Sequence, residues 1–375
     1  PFRINLQGRG VGPVIQVDQP AGQEQGDGDT VDFLAVVVGA TETLRFTIRE
    51  DGELDLTWSA AISGGTEFQI DSNLPGQGTI SDGGSPQQFD VNFTPTASGA
   101  RSDTLIITNN DATASRKQYT ISLTGSGQTP QEIQVTQDGS NLTSGGAPID
   151  FGSVDMNGTQ PYEDRDFVVR NNGGVNLVLQ ALEIIPDPNS SIFDDFIVQA
   201  QPANTTIAPG AHETFTVRFQ PQETDERIAT LSLSSNDSAS PFLIPLTGQG
   251  VAPYVYVRGE DGAIVSTRSA AIFPFTPADS ESELSFVINN VGTATLENLQ
   301  ISLESGTADY TLSNLPAATT INAEDDASFT VVFNPQPPSK RNLEGLVRVS
   351  GSNLPPYEFT VTGDSLPTPP GIPDN

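Results

Sequence analysis

Phe215-Thr216-Val217-Arg218-Phe219-Gln220-Pro221 is the stretch that decides the fold. Its apolar residues fall at every second position, so three of them share one face of an extended strand. The proline closes the run, because it has no N–H to give to a ladder. The same spacing returns as Phe89-Asp90-Val91-Asn92-Phe93-Thr94-Pro95 and as Phe329-Thr330-Val331-Val332-Phe333-Asn334-Pro335. Three copies of one anchor strand mark an internal repeat.

The segments around the anchors repeat in the same order. Each unit opens on an alternating pair, Ile15 and Val17, Ile133 and Val135, Val255 and Val257. A central strand follows, Phe46-Thr47-Ile48, Phe167-Val168-Val169 and Phe286-Val287-Ile288, and runs into a turn at Asp51-Gly52, Asn172-Gly173 and Val291-Gly292. Glycine there is expected to supply left-handed backbone geometry. Leucine pairs come next: Leu54 and Leu56, Leu177 and Leu179, Leu296 and Leu299. Late turns fall at Asn110-Asp111, Asn236-Asp237 and, more loosely, Ser352-Asn353. The closing strands are Tyr119-Ile121-Leu123-Gly125, Phe242-Ile244-Leu246-Gly248 and Phe359-Val361-Gly363.

Helical periodicity is nearly absent. About seven short alternating strands per unit, separated by turn signals, describe a two-sheet sandwich. The chain therefore reads as all-β: three tandem immunoglobulin-like antiparallel β-sandwich domains over 13–127, 128–251 and 252–364. An extra strand and linker occupy 1–12, and a Pro-rich tail occupies 365–375.

Composition narrows the function. A net charge of −31 excludes nucleic acid, whose phosphates need a basic footprint, and argues against anionic membrane surfaces. Lys117 and Lys340 are the only lysines, and an acidic, lysine-poor surface stays soluble at high ionic strength. No run of apolar residues is long enough to span a membrane. The absence of cysteine excludes thiol catalysis and fits a bacterial or archaeal extracellular protein better than a disulfide-stapled eukaryotic one. No leader precedes Pro1-Phe2-Arg3-Ile4, so a processed or partial chain is expected.

The order Phe167-x-Val169-x-Asn171-x-Gly173, Ile207-Ala208-Pro209-Gly210, the anchor, Ser235-Asn236-Asp237 and Leu246-Thr247-Gly248-Gln249-Gly250 resembles the abnormal-spindle/Hydin type of Ig-like domain. Its bacterial counterpart is the choice-of-anchor D surface repeat. The second unit matches best, including Asp150-Phe151-Gly152 near its start. The first and third replace the Pro-Gly with Asp82-Gly83-Gly84 and Ala323-Glu324-Asp325. The resemblance implies an extracellular or cell-surface scaffold and carries no catalytic residue.

Phe2-Arg3-Ile4-Asn5-Leu6-Gln7-Gly8-Arg9-Gly10-Val11 repeats the pattern of Phe242-Leu243-Ile244-Pro245-Leu246-Thr247-Gly248-Gln249-Gly250-Val251. It is a closing strand with no sandwich of its own. Either it belongs to a repeat upstream, or it joins another copy by strand addition through Phe2, Ile4, Leu6 and Gly8. The partner is then the chain itself, in a homo-oligomer or filament, or another surface protein. A monomeric adhesin, a spacer stalk and an accessory module of a secreted enzyme are the competing readings.

Signals of chemistry are weak. His212 is the only histidine, in a turn before a strand and without a nucleophile elbow, so a solvated histidine is expected. Asp27, Asp29 and Asp32 place three carboxylates on a Gly-rich loop, and Asp51, Glu53 and Asp55 alternate along another. Calcium uses such ligands, but neither segment has EF-hand spacing, and solvated acidic loops are the expectation; no other cofactor is implied. Asn-x-Ser/Thr sequons fall at Asn92, Asn141, Asn157, Asn189, Asn204 and Asn236. Trp58 is expected in the core rather than on a sugar-binding face. Leu366–Asn375 reads as an extended polyproline-type segment.

Overall fold

A computed structural model describes residue 3 and residues 11–74, 76–111, 113–188, 194–266 and 270–365. Residues 2, 4, 6 and 8 of the expected joining strand, Asn189 and the tail from 366 lie outside the described residues. The chain is all-β and immunoglobulin-like, and its apolar residues gather into three separate cores, Ile15 to Leu123, Val135 to Leu246 and Val255 to Val361.

In the first domain one sheet runs in the order Ile15–Asp18, Glu42–Glu50, Gln87–Phe93, Phe68–Ile70. The facing sheet runs Thr30–Val37, Gln118–Gln128, Gly99–Asn109, Leu56–Ile62, Gln77–Ile80. The second domain repeats this with Glu163–Asn171 and His212–Phe219 at the centre of one sheet and Phe242–Val251 and Asp225–Leu233 in the other. The third uses Ser282–Asn290 and Asp326–Phe333, then Leu354–Gly363 and Leu343–Gly351. The expected antiparallel pairing dominates, but each domain adds one parallel pair. Thr30–Val37, Ile149–Asp155 and Ala271–Ile272 run parallel to their closing strands. Alternation fixes which face a residue takes, not which neighbour its strand finds, so the pattern does not encode this.

The anchor strand organises each core through its first and last Phe. The first sits opposite the Phe of the central strand and stacks on it: Phe46 on Phe89 at 5.4 Å, Phe167 on Phe215 at 5.1 Å, Phe286 on Phe329 at 5.5 Å. The last stacks on an aromatic of the edge strand: Phe68 on Phe93 at 4.4 Å, Phe196 on Phe219 at 4.7 Å, Tyr310 on Phe333 at 4.9 Å. Such pairs contribute about 0.5–1.5 kcal/mol each beyond area burial. Trp58 is buried, packs on Phe89 and donates its Nε1–H to Gln87 Oε1 at 2.9 Å.

The closing-strand glycines answer the last Phe. A Cβ on Gly125 would lie 2.6 Å from the Phe93 ring, on Gly248 2.6 Å from Phe219, and on Gly363 2.5 Å from Phe333. No side chain fits beneath that ring.

The turn glycines have a different cause from the one expected. Gly52, Gly173 and Gly292 are absent from the positive-φ positions. They are instead sites of close backbone approach, where a Cβ would lie 2.2 Å from Gly12 O, 2.0 Å from Pro130 O and 2.3 Å from Tyr254 N. The segment entering the domain crosses directly over the turn. Buried Asn171 ties this crossing together, donating to Val175 O and Ile207 O and accepting from Gly173 N. Asn290 does the same with Ala294 O, Ile321 O and Gly292 N. Of the leucine pairs, Leu54 is the exception to burial, at 48 % exposed.

Candidate interaction surfaces

The three carboxylates singled out for calcium do not converge. Asp27 Oδ1 accepts from Thr120 N at 2.7 Å and Thr120 Oγ at 2.8 Å, which pins its loop to the closing strand. These hydrogen bonds, the backbone one first, hold its carboxyl below the usual carboxylate range. Asp29 Oδ2 accepts from Gly26 N at 2.6 Å. Asp32 Oδ1 accepts from Leu34 N at 3.0 Å, as Asp150 Oδ1 accepts from Gly152 N at 2.8 Å. Asp32-Phe33-Leu34 is thus the first domain's form of Asp150-Phe151-Gly152. Both segments fold a β-bulge that drives a Phe into the core beside the last anchor Phe. Among the described residues no group of three His, Asp or Glu side chains is arranged to hold a metal ion.

His212 opens the strand His212–Phe219, is exposed, and lies opposite Arg170 in the ladder. Its cross-strand neighbour is therefore a cation rather than the carboxylate that a relay requires. Of the sequons, Asn141, Asn157 and Asn204 are exposed, while Asn92 is half-buried in the anchor strand. The Asn236 amide is occupied, accepting from Val178 N at 2.8 Å and donating to Asn176 O at 3.2 Å.

That last arrangement is a repeated clamp. Asn110 accepts from Thr57 N and donates to Asp55 O, and Asn353 accepts from Glu297 N and donates to Thr295 O. In the first two domains the following aspartate seizes the opening strand: Asp111 accepts from Ile15 N at 3.0 Å and Asp237 from Ile133 N at 2.8 Å. The third domain has Leu354 there. Its buried Asn353 instead makes a further hydrogen bond to Asp155 Oδ2 of the second domain, at 2.6 Å. The looser Ser352-Asn353 turn is therefore a junction element.

A second repeated element escaped the sequence reading. Glu67-Phe68, Asp195-Phe196 and Asp309-Tyr310 each place an acid just before the edge aromatic. Its carboxylate accepts from the backbone beyond the anchor proline, at Thr96, Gln222 and Gln336. In the first two domains it also pairs with an arginine, Arg101 at 2.9 Å and buried Arg227 at 2.7 Å. An acid preceding an aromatic in all three units was the available signal.

Two surfaces stand out. A cavity of about 690 Å³ lies where the second domain meets the third, lined by Tyr254, Tyr357, Pro253, Pro355, Pro356 and Val291. Tyr254 is 68 % exposed and Val291 41 %. The other surface is the strand Gln300–Ser305, which pairs with Leu343–Gly351 on one side and with no strand on its other side among the described residues. The side chains it turns inward, Ile301 and Leu303, are only half-buried against the margin of the third core, as is Leu312 on the facing sheet.

Residues 147–249 match the sequence profile of the HYDIN/CFA65/VesB-like Ig-like domain. That segment, most of the second domain, is similar to the Hydin-like type of Ig-like domain. No curated protein matches it at a significant level. Among solved structures, the I-band fragment I67–I69 of titin covers 95 % of this chain and 99 % of its own, at 10 % identity and a TM-score of 0.33. A protein of unknown function from Porphyromonas gingivalis W83 covers 63 % and 99 %, at 14 % identity and 0.24. The secreted serine protease VesC from Vibrio cholerae covers 56 % and 48 %, at 13 % identity and 0.23. The matched profile describes an Ig-like domain, which suggests a structural or adhesion-like role.

Proposed function

We propose that this chain is a non-enzymatic subunit of a bacterial or archaeal cell-surface filament or layer, and that copies join by β-strand addition through residues 2–8. The observation that carries the reading is the closing-strand sequence Phe2-x-Ile4-x-Leu6-x-Gly8, which repeats Phe242-x-Ile244-x-Leu246-x-Gly248 ahead of the first domain. In the second domain that sequence forms a strand whose Phe242, Ile244 and Leu246 are buried. Seven residues with the same alternation have an apolar face to bury and a ladder edge to pair. The reading is tested by light scattering on the full chain and on a chain lacking residues 1–10. Assembly of the first and not of the second supports it; a full chain that stays monomeric rules it out.

A monomeric adhesin or spacer stalk is the second reading, favoured by the junction cavity with its exposed Tyr254. Exposed aromatics beside prolines bind extended peptides or sugars. A monomeric chain that loses affinity for its surface ligand on Tyr254→Ala would select this reading.

A further inference from the structure

We propose that the strand Gln300–Ser305 of the third domain receives residues 2–8 of a second copy as an added strand, with Arg3 or Arg9 of the incoming strand beside Glu304. The inference rests on the strand-addition reading above and names its receiving edge.

The other lanes at the corresponding place are closed or blunted. In the first domain Leu56–Ile62 is covered over Leu56–Ser59 by Gln77–Ile80, and Ala60 N donates to Gly76 O. In the second, Glu183–Pro186 is four residues long, ends in proline and is followed by Pro188. The parallel strands Thr30–Val37 and Ile149–Asp155 each carry a bulge in mid-strand, which twists an edge away from an incoming chain. Gln300–Ser305 has six residues and no proline, and its one register shift lies between Leu303 and Ser305, at Glu304, leaving Gln300–Leu303 in regular pairing.

Its chemistry also matches the incoming strand on both faces. Inward, half-buried Ile301, Leu303 and Leu312 leave an apolar seam at the margin of the sandwich, which Phe2, Ile4 and Leu6 would cover. Outward, the sheet carries Glu304, Glu344 and Glu358, with one cation among them, Arg348, 4.0 Å from Glu358. The incoming strand turns Arg3, Asn5, Gln7 and Arg9 outward when Phe2, Ile4 and Leu6 point in. Residues 1–17 contain these two arginines and no acid, in a chain of net charge −31. Opposite charges at directly facing positions of a ladder select register and partner.

The chain contains no cysteine, so single-cysteine variants carry one thiol each. Asn5→Cys and Ser302→Cys chains are mixed under assembling conditions and gently oxidised, with Arg3→Cys and Gln7→Cys as alternatives in case the register differs. The expected result is a disulfide-linked dimer containing one chain of each kind. Ser59→Cys, outward-facing on a strand paired on both sides, should give none with the same partners. In parallel, Glu304→Arg should weaken assembly about tenfold, and Arg3→Glu with Arg9→Glu should restore it. Assembly that needs residues 1–10, yet gives no link to Ser302→Cys and ignores Glu304→Arg, would overturn this edge and leave strand addition standing. A chain that stays monomeric with residues 1–10 intact would remove both.

Discussion

Replacing Gly125 by alanine tests whether the anchor strand dictates the residue across from it in the closing strand. A Cβ there would lie 2.6 Å from one Phe93 ring carbon and 3.0 Å from two others, against about 3.5–4.0 Å for ordinary carbon contact. Phe93 is fully buried and held between Phe68 at 4.4 Å and Phe33 at 5.8 Å, so the ring has nowhere to move. Overpacking of this kind costs about 1–3 kcal/mol. With a urea slope of about 1–3 kcal/mol per molar, the first domain's midpoint should fall by about 1 M. Trp58 is the only tryptophan and lies in that domain's core, so its fluorescence follows this domain within the full chain. That matters because three domains need not unfold together. Phe93→Leu leaves a void of its own, but in the Gly125→Ala background it also makes room for the new methyl. The double variant should therefore be less destabilised than the sum of the singles by about 1 kcal/mol or more. Additivity within about 0.5 kcal/mol would show that the Phe93 ring is not the reason for the glycine, and the reasoning would fail.

Leu34→Gly should stabilise the first domain by about 0.5–1 kcal/mol in the same assay. Leu34 holds a left-handed φ of +62° while 70 % exposed, so strain is relieved and little burial lost. The equivalent Gly152, at φ +73°, should tolerate alanine poorly. Asn171→Ala should destabilise the second domain by about 3 kcal/mol, because Ile207 O and Gly173 N lose a buried partner. Hydrogen exchange read by mass spectrometry would show faster exchange across Glu163–Asn171. The Thr96 hydroxyl, with Thr96 N, lowers the Glu67 carboxyl below its ordinary value. A depressed folded-state pKa contributes stability above the unfolded value, so the first domain should weaken as pH falls below about 5. Glu67→Gln should make that acid slope shallower. Calcium should leave the Trp58 midpoint unchanged, since Asp27, Asp29 and Asp32 are each bound to a separate backbone N–H; a rise with calcium would reveal a site on that loop.

Strand faces were legible because alternation is a local property: Phe215, Val217 and Phe219 are buried for the reason that makes them visible in the sequence. What was not legible depends on contacts between segments far apart in the chain. Gly52 and Gly173 look like turn formers, yet the sequence cannot show that the segments at Gly12 and Pro130 pass over them. Asp32 looks like a ligand until its bond to Leu34 N identifies it with Asp150. The internal repeat carries the same equivalence, since Asp-Phe recurs at the same place in two units while no other member of the acidic loop does. The same comparison gives Asn353 its meaning. In two domains the aspartate after the clamp ties the domain to its own opening strand; in the third that residue is Leu354, and Asn353 reaches Asp155 of the neighbouring domain. Where a repeat departs from its own pattern, the side chain or edge released from the domain's internal bonding becomes available to a neighbour. The open edge Gln300–Ser305 and the junction at Asn353 both lie in the third domain, and an edge left unpaired among the described residues is the feature that strand addition from another chain would use.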